Sequence, residues 1–279
     1  MPSTAPFRDR QRHYWNSVAG GSAAWLTWTE RNFSSVTGWL RGAAGWTPGA
    51  RVLDVACGAG YPALAAAACV CPGGTVVATD LSPGMIAAAA RGAKAARLEN
   101  VAFVEMDAED LRFENAWFAA VTNAYGLMFC PDPQRAIDEM HRVLEPGCRA
   151  ALAVWDDPAK NPFFTLIADV AARFFPLPPA DPAAPGPFRL AAAGKLESLL
   201  GASGFSHVHV ESHSMTVQCE SVAEYCQIFA DIAWKSRIAS LTDSEAALFR
   251  EAIAEAAEPY VDGGRLSLLA TSLSASARK

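Results

Sequence analysis

Three carboxylates and a pair of glycines are the residues of this chain whose types and spacing could do chemistry. Asp54 closes a short apolar run, and Gly58-Ala-Gly60 follows it directly. Asp80 ends a second apolar run and Asp107 follows a third, in Val104-Glu-Met-Asp107. Glycines between a strand and a helix let backbone N–H groups approach a ligand beside the positive helix end. Gly58-Ala-Gly60-Tyr-Pro-Ala63 satisfies the loose dinucleotide pattern, with Asp80 twenty residues after Gly60. Taken alone this is weak, because a tight strand-to-helix turn needs no ligand.

Asp54 separates the candidate nucleotides. A carboxylate four residues before Gly58 would repel the pyrophosphate of NAD. S-adenosylmethionine has no phosphate and carries an ammonium and a sulfonium, which an acid favours. Asp80 would then take the ribose hydroxyls, and an acceptor near Asp107 the exocyclic amine of adenine. Ligands of open parallel sheets bind at such strand ends.

These residues need a frame, and the apolar pattern supplies one. Runs at 51–55, 75–79, 101–105, 118–123 and 149–155 read as strands. Helices fall between them, opened by Pro62, by Ser82 as N-cap and by Pro133. Strands alternating with helices make a parallel, doubly wound α/β sheet. Residues 8–45 read as helices rich in aromatics, and 176–187 as a loop with six prolines. A helix at 192–200 precedes two long strands, 206–217 and 265–276, with a helical insertion at 221–258 between them. One domain over 1–279 is expected, with 8–45 a lid, 46–156 the cofactor-binding core, 157–205 a Pro-rich loop and helix, and 206–279 a hairpin carrying the insertion.

The set of segments resembles a known family, the class I S-adenosylmethionine-dependent methyltransferases, and within it the ubiquinone/menaquinone-biosynthesis type and its small-molecule relatives. The resemblance lies in Val52-Leu-Asp-Val-Ala-Cys-Gly-Ala-Gly60, Val76-Val-Ala-Thr-Asp-Leu-Ser-Pro-Gly-Met85 and Val104-Glu-Met-Asp-Ala-Glu-Asp110. Tyr125-Gly-Leu-Met-Phe-Cys-Pro-Asp-Pro133 and Glu139-Met-His-Arg-Val-Leu-Glu-Pro-Gly147 extend it. It implies a Rossmann-like sheet of about seven strands, mostly parallel with the last antiparallel. It also assigns Asp54, Ala56, Cys57, Gly58 and Gly60 to the turn at the methionine end of the cofactor, and Asp80 to the ribose. Leu81 and Met85 would flank the adenine, Asp107 and Ala108 would face its amine, and Asn123 and Tyr125 would lie near the sulfonium and substrate. Ala56 departs from the usual Gly, Cys148 from a Gly-Gly pair, and Ala119 from a common Asp.

Methyl transfer needs alignment and exclusion of water more than a dedicated base. Tyr14, Trp25 and Trp28 are the residues of the aromatic lid expected over the site, where ring faces attract a sulfonium; most other aromatics there would pack as core. No catalytic base stands out. His13 reads as surface and His141 as structural. His207, His209, Glu211 and His213 share a strand face by period two, a solvated face rather than a metal site, and Asp156-Asp157 lacks a second acid to hold a cation. No metal is expected, and the seven cysteines read as reduced, structural thiols.

Composition narrows the partners. The chain has 279 residues, 51% hydrophobic, with 29 acids against 23 Lys and Arg. Nucleic acid calls for a dense basic field, so none is expected. No apolar run is long enough to span a bilayer, and residues 1–16 lack a signal-like apolar stretch, so a cytoplasmic location is expected. The expected activity is S-adenosylmethionine-dependent methyl transfer to a small, fairly apolar metabolite by in-line displacement. Two alternatives stay open: a cofactor-binding enzyme of cyclase type that transfers no methyl, and an NAD-dependent oxidoreductase. The apolar insertion suggests a homodimer contact.

Overall fold

The computed structural model describes residues 5–175 and 184–279. Most of the Pro-rich loop read from the sequence, residues 176–183, lies outside them.

Helices α1 (Ala5–Ala24) and α2 (Leu26–Ala44) lead into β1 (Arg51–Val55), α3 (Tyr61–Val70), β2 (Thr75–Asp80), α4 (Pro83–Ala95) and β3 (Val101–Glu105). Next come β4 (Phe118–Ala124), α5 (Pro133–Val143), β5 (Leu144–Trp155), α6 (Pro162–Ala171) and α7 (Lys195–Ala202). The chain closes with β6 (Ser206–Cys219), α8 (Val222–Asp231), α9 (Lys235–Ile238), α10 (Asp243–Ala257), β7 (Val261–Asp262) and β8 (Arg265–Arg278). The strands form one sheet in the order β3-β2-β1-β4-β5-β8-β6, with the two-residue β7 on β8. β1 pairs in parallel with β2 and β4, while β8 runs antiparallel to β5 and β6. The expected doubly wound sheet and its antiparallel last strand are therefore present, with the helical insertion between β6 and β8.

The central strands are continuous apolar runs because helices cover both faces. Val52, Leu53 and Val55 of β1 and Leu152 and Val154 of β5 are fully buried. Alanines of α3 and α4 let those helices sit close to the sheet: Ala63, Ala66, Ala67 and Ala89 are all buried. Ser82 caps α4 by accepting the Met85 N–H at 3.2 Å. On α2, Trp28, Phe33, Val36, Leu40 and Ala44 turn inward at helical spacing.

Two expectations need correction. Residues 162–171, taken as part of a loop-dominated stretch, form α6; Pro162 sits in its first turn, and Phe163, Leu166, Ile167 and Val170 are the buried i, i+3, i+4, i+7 stripe. The proline-rich run just beyond masked that periodicity. His207 does not share a face with His209, Glu211 and His213: the β6–β8 register shifts between Ser206 and His209, and His207 takes a φ of 51°. Within the insertion, Tyr225, Ile228, Phe229, Phe249 and Ile253 are buried against the rest of the chain, while Leu248 of α10 is exposed. No described helix is long and apolar enough to cross a membrane.

Candidate cofactor and substrate site

The ends of β1, β2 and β3 and the turn after β4 open into one cavity of about 810 Å³, in the upper range for small-molecule sites. Of the expected cofactor residues, Ala56, Cys57, Gly58, Asp80, Leu81, Met85, Asp107 and Ala108 line it. Asp80 organises that end. Its Oδ2 accepts the Gly58 N–H and its Oδ1 the Ser82 N–H, each at 2.9 Å. Each oxygen keeps a lone pair for a further donor. Burial pushes its pKa up, opposed by those two N–H bonds. Asp107 accepts the Glu109 N–H at 2.9 Å and pairs with Arg8 of α1.

The two glycines of the turn differ in role. Gly58 has a φ of +55° and open space where a Cβ would stand, so its backbone is free to meet a ligand. Gly60 has a φ of +99°, and a Cβ there would lie 2.8 Å from the Ala89 Cβ. It serves the packing of α3 on α4 and does not line the cavity. Ala56, the departure from glycine, takes a φ of 54°. Its methyl is accommodated because residue 126 is glycine: a Cβ at Gly126 would fall 2.5 Å from that of Ala56.

Three assigned residues point elsewhere. Asp54 is fully buried and outside the cavity lining. Its Oδ1 accepts the Thr122 hydroxyl at 2.9 Å. Burial raises its pKa to about 7, so the charge that separated one nucleotide from another is half suppressed at neutral pH. Asn123 is a structural clamp: its amide donates to the Val55 carbonyl at 2.8 Å and accepts the Leu127 N–H at 2.9 Å. Trp25 donates its indole N–H to Asp231 at 2.9 Å, tying α2 to α8 outside the lining. Asp156 has no vacancy for a cation, since Lys160, Ser212 and the Asp157 N–H donate to it. His13 is exposed, and His141 packs edge-on against Phe205.

The rest of the cavity is aromatic. Tyr125 lines it with its ring stacked on Trp155 at 4.0 Å and 14°, and its hydroxyl bonds to Ser272 at 2.7 Å. Trp28 stacks on Phe163, and Phe33 meets Trp28, Tyr125 and Trp155. Sequence reading missed Phe33, Trp155, Phe163, Phe164 and Phe229 as lining residues. Their short-range signal is that of core residues, and only the convergence of α2, β5, α6 and α8 shows which ring faces stay open.

Helix α1 forms the roof, where Gln11, Tyr14 and Trp15 line the cavity. It is held by polar ties. Arg8 pairs with Asp107 and Glu109, Arg12 with Glu105, and Asn16 accepts the Gly84 N–H at 2.9 Å. Tyr14 donates to the Ile232 carbonyl at 3.1 Å, and burial raises its pKa to about 12.

This donor set fits a nucleoside cofactor. Asp80 can accept from hydroxyls, Leu81 and Met85 supply apolar contacts, and the open Gly58 backbone removes steric obstruction. Residues 52–147 match the family model described as a methyltransferase domain. The chain is 42% identical over 113 residues to the demethylmenaquinone methyltransferase of Thermus thermophilus, covering 40% of this chain and 50% of that one. Of the demethylmenaquinone and 2-phytyl-1,4-naphtoquinone methyltransferases it resembles, the chain spans about half the length: 43% for that of Clavibacter sepedonicus and 58% for that of Nostoc. Among solved structures, phosphoethanolamine N-methyltransferase 2 of Haemonchus contortus aligns with a TM-score of 0.60 at 17% identity, over 98% of this chain and 60% of that one. The [4+2]-cyclase SpnF aligns with a TM-score of 0.54 at 23% identity, over 88% and 80%. The fold is thus shared by a methyltransferase and a cyclase, while the core sequence sides with the former. The core of this chain, residues 52–147, is similar in sequence to methyltransferase domains and shares their fold.

Proposed function

We propose that the protein transfers a methyl group from S-adenosylmethionine to a small, fairly apolar metabolite in the cytoplasm. The observation that carries this reading is the single cavity that joins the Asp80–Asp107 end to the aromatic wall. It gives a cofactor and a second molecule one shared, sheltered space. When bound, the cofactor supplies an activated methyl on a cationic sulfur. The chain's own residues bind and align. Asp80 holds the ribose hydroxyls while its N–H bonds fix the carboxylate; Asp107 and Ala108 face the adenine edge. The rings of Phe33, Tyr125 and Trp155 exclude water and favour a cationic centre.

Among the described residues that line the cavity there is no His, Lys or Glu. Burial raises the pKa of Cys57, Cys130 and Tyr125, so they stay protonated and serve as neutral walls. The oxidoreductase alternative lost support differently from the way the sequence implied. Asp54 does not face the cavity, and it is the family match of the core that favours S-adenosylmethionine.

Calorimetric titration with S-adenosylmethionine, S-adenosylhomocysteine and NADH tests the reading. Micromolar binding of the first two and none of NADH is expected. Tight NADH binding alone would refute it. Release of S-adenosylhomocysteine in the presence of an acceptor separates transfer from a cyclase-type role, which consumes no cofactor.

A further inference from the structure

The cavity lining contains one cation among the described residues, Arg237 of α9. The established parts of the site do not use it. Its guanidinium lies over the Trp234 ring at 5.1 Å from the centroid, an arrangement that holds a flat cation in place without neutralising it. No carboxylate pairs with it among the described residues. Asp231, one of the two acids nearest in sequence, already accepts from Trp25 and Gln227. The positive charge is felt inside the cavity: Arg237 opposes the upward pKa shift that burial imposes on Tyr14. Ser236, beside it, and Gln11, across on α1, also line the cavity. Gln11 uses its oxygen for the Trp15 indole at 3.1 Å, which leaves its amide N–H groups for another acceptor.

We infer that Arg237 is an anion anchor and that the second molecule in this cavity is a largely apolar, aromatic-contacting monoanion, carrying a carboxylate or an acidic enol. The inference rests on the proposed methyl transfer only in naming that molecule the methyl acceptor. Its chemistry is consistent with the lining: Asp80 and Asp107, the carboxylates of the lining, are assigned to the cofactor, so an acceptor that arrives already ionised needs no further base. A partly desolvated guanidinium that meets a carboxylate in a planar, charge-assisted pair favours the anion over a neutral isostere of the same shape.

The test uses the full chain saturated with S-adenosylhomocysteine and three probes of one shape, 2-naphthoate, 2-naphthamide and 2-naphthylmethylammonium, titrated calorimetrically. Naphthoate is expected to bind at least tenfold more tightly than the amide, with the ammonium weakest. Arg237→Gln should erase the preference for the acid while the amide binds as before, and Arg237→Lys should restore part of it. Arg237 is partly buried on a short helix at the cavity edge, so these variants should fold; an unchanged melting temperature verifies that. Equal affinity for acid and amide, an unchanged preference in Arg237→Gln, or failure of all three probes to bind at millimolar concentration would overturn the inference. Failure of S-adenosylhomocysteine itself to bind would instead overturn the proposed activity, and the charge preference would still be read on the unliganded protein.

Discussion

The two halves of the cavity are built in opposite ways. At the cofactor end, chemistry-bearing residues lie at the ends of adjacent parallel strands, and backbone N–H groups hold them. Asp80 is fixed by Ser82, two residues on, and by Gly58 in the turn after the neighbouring strand β1. At the aromatic end, the walls come from α1, α2, β5, α6 and α8, from Tyr14 to Phe229 in the sequence, and side chains hold one another by ring contacts. The first half is specified by short segments and admits one class of ligand. The second is a product of packing, and its shape follows whatever the surrounding helices present. One half is a socket and the other a lining.

The contrast can be broken most sharply at Asp80. Asp80→Ala should weaken S-adenosylhomocysteine binding by at least about 100-fold, because two N–H donors lose their acceptor and the ligand loses its own. Phe164→Ala, in the lining, should leave that affinity within about threefold while weakening apolar second ligands. Calorimetry on both variants reads the difference. Equal losses would mean that the two halves are not separable.

Asp54 supplies the next effect. Its folded-state pKa of about 7 lies above its ordinary value of 3.8, so the folded chain binds the proton more tightly than the unfolded one. Its contribution is therefore most favourable below about pH 4, is lost progressively as pH rises toward 7, and is flat above that. In urea titrations, Asp54→Asn should gain stability relative to the parent between pH 4 and 7, on the order of a few kcal/mol, and the gap should then level off. A gap that widens as pH falls would refute the assignment.

Ala56 and Gly126 form a reciprocal pair. Gly126→Ala places a methyl against that of Ala56 and against Asn123, and should cost about 1–3 kcal/mol. Ala56→Gly in the same chain should recover much of that loss, because it removes the opposing methyl and the unfavourable φ. A double-mutant cycle by chemical unfolding measures the coupling. Strict additivity would show that the two methyls do not meet.

The smallest effect is expected at the roof. Arg12 and Glu105 are both about half exposed, so Arg12→Ala should cost under about 1 kcal/mol, and less in high salt. A larger loss in thermal melts would mean that α1 depends on that pair rather than on its contacts with α4.

Much of the cofactor half was legible from local pattern. Pro62 after the glycine turn, Ser82 before Pro83, and acids closing apolar runs are short-range signals whose physics acts within a few residues. The same locality misled at Asp54 and Asn123. Both sit where a ligand contact was expected, but a side chain on a strand points to one face or the other. One is turned beneath the glycine turn toward Thr122, the other into a clamp between β1 and the residues after β4. Helix α6 shows the converse, since its stripe was present in the residues but adjoined a run of prolines that drew the eye to a loop.

By itself the sequence determined the strand order's chemistry: which apolar runs could be central strands, where glycine lets a turn approach a ligand, and which acid ends β2. Backbone conformation and hydrogen bonding over a handful of residues suffice for that. Only the tertiary structure decided which of the many aromatics face a cavity, that Ala56 is tolerated because residue 126 is glycine, and that Arg237 stands among rings without an acid beside it. Those facts depend on atoms brought together from distant segments, where burial and close packing rather than local preference set the outcome.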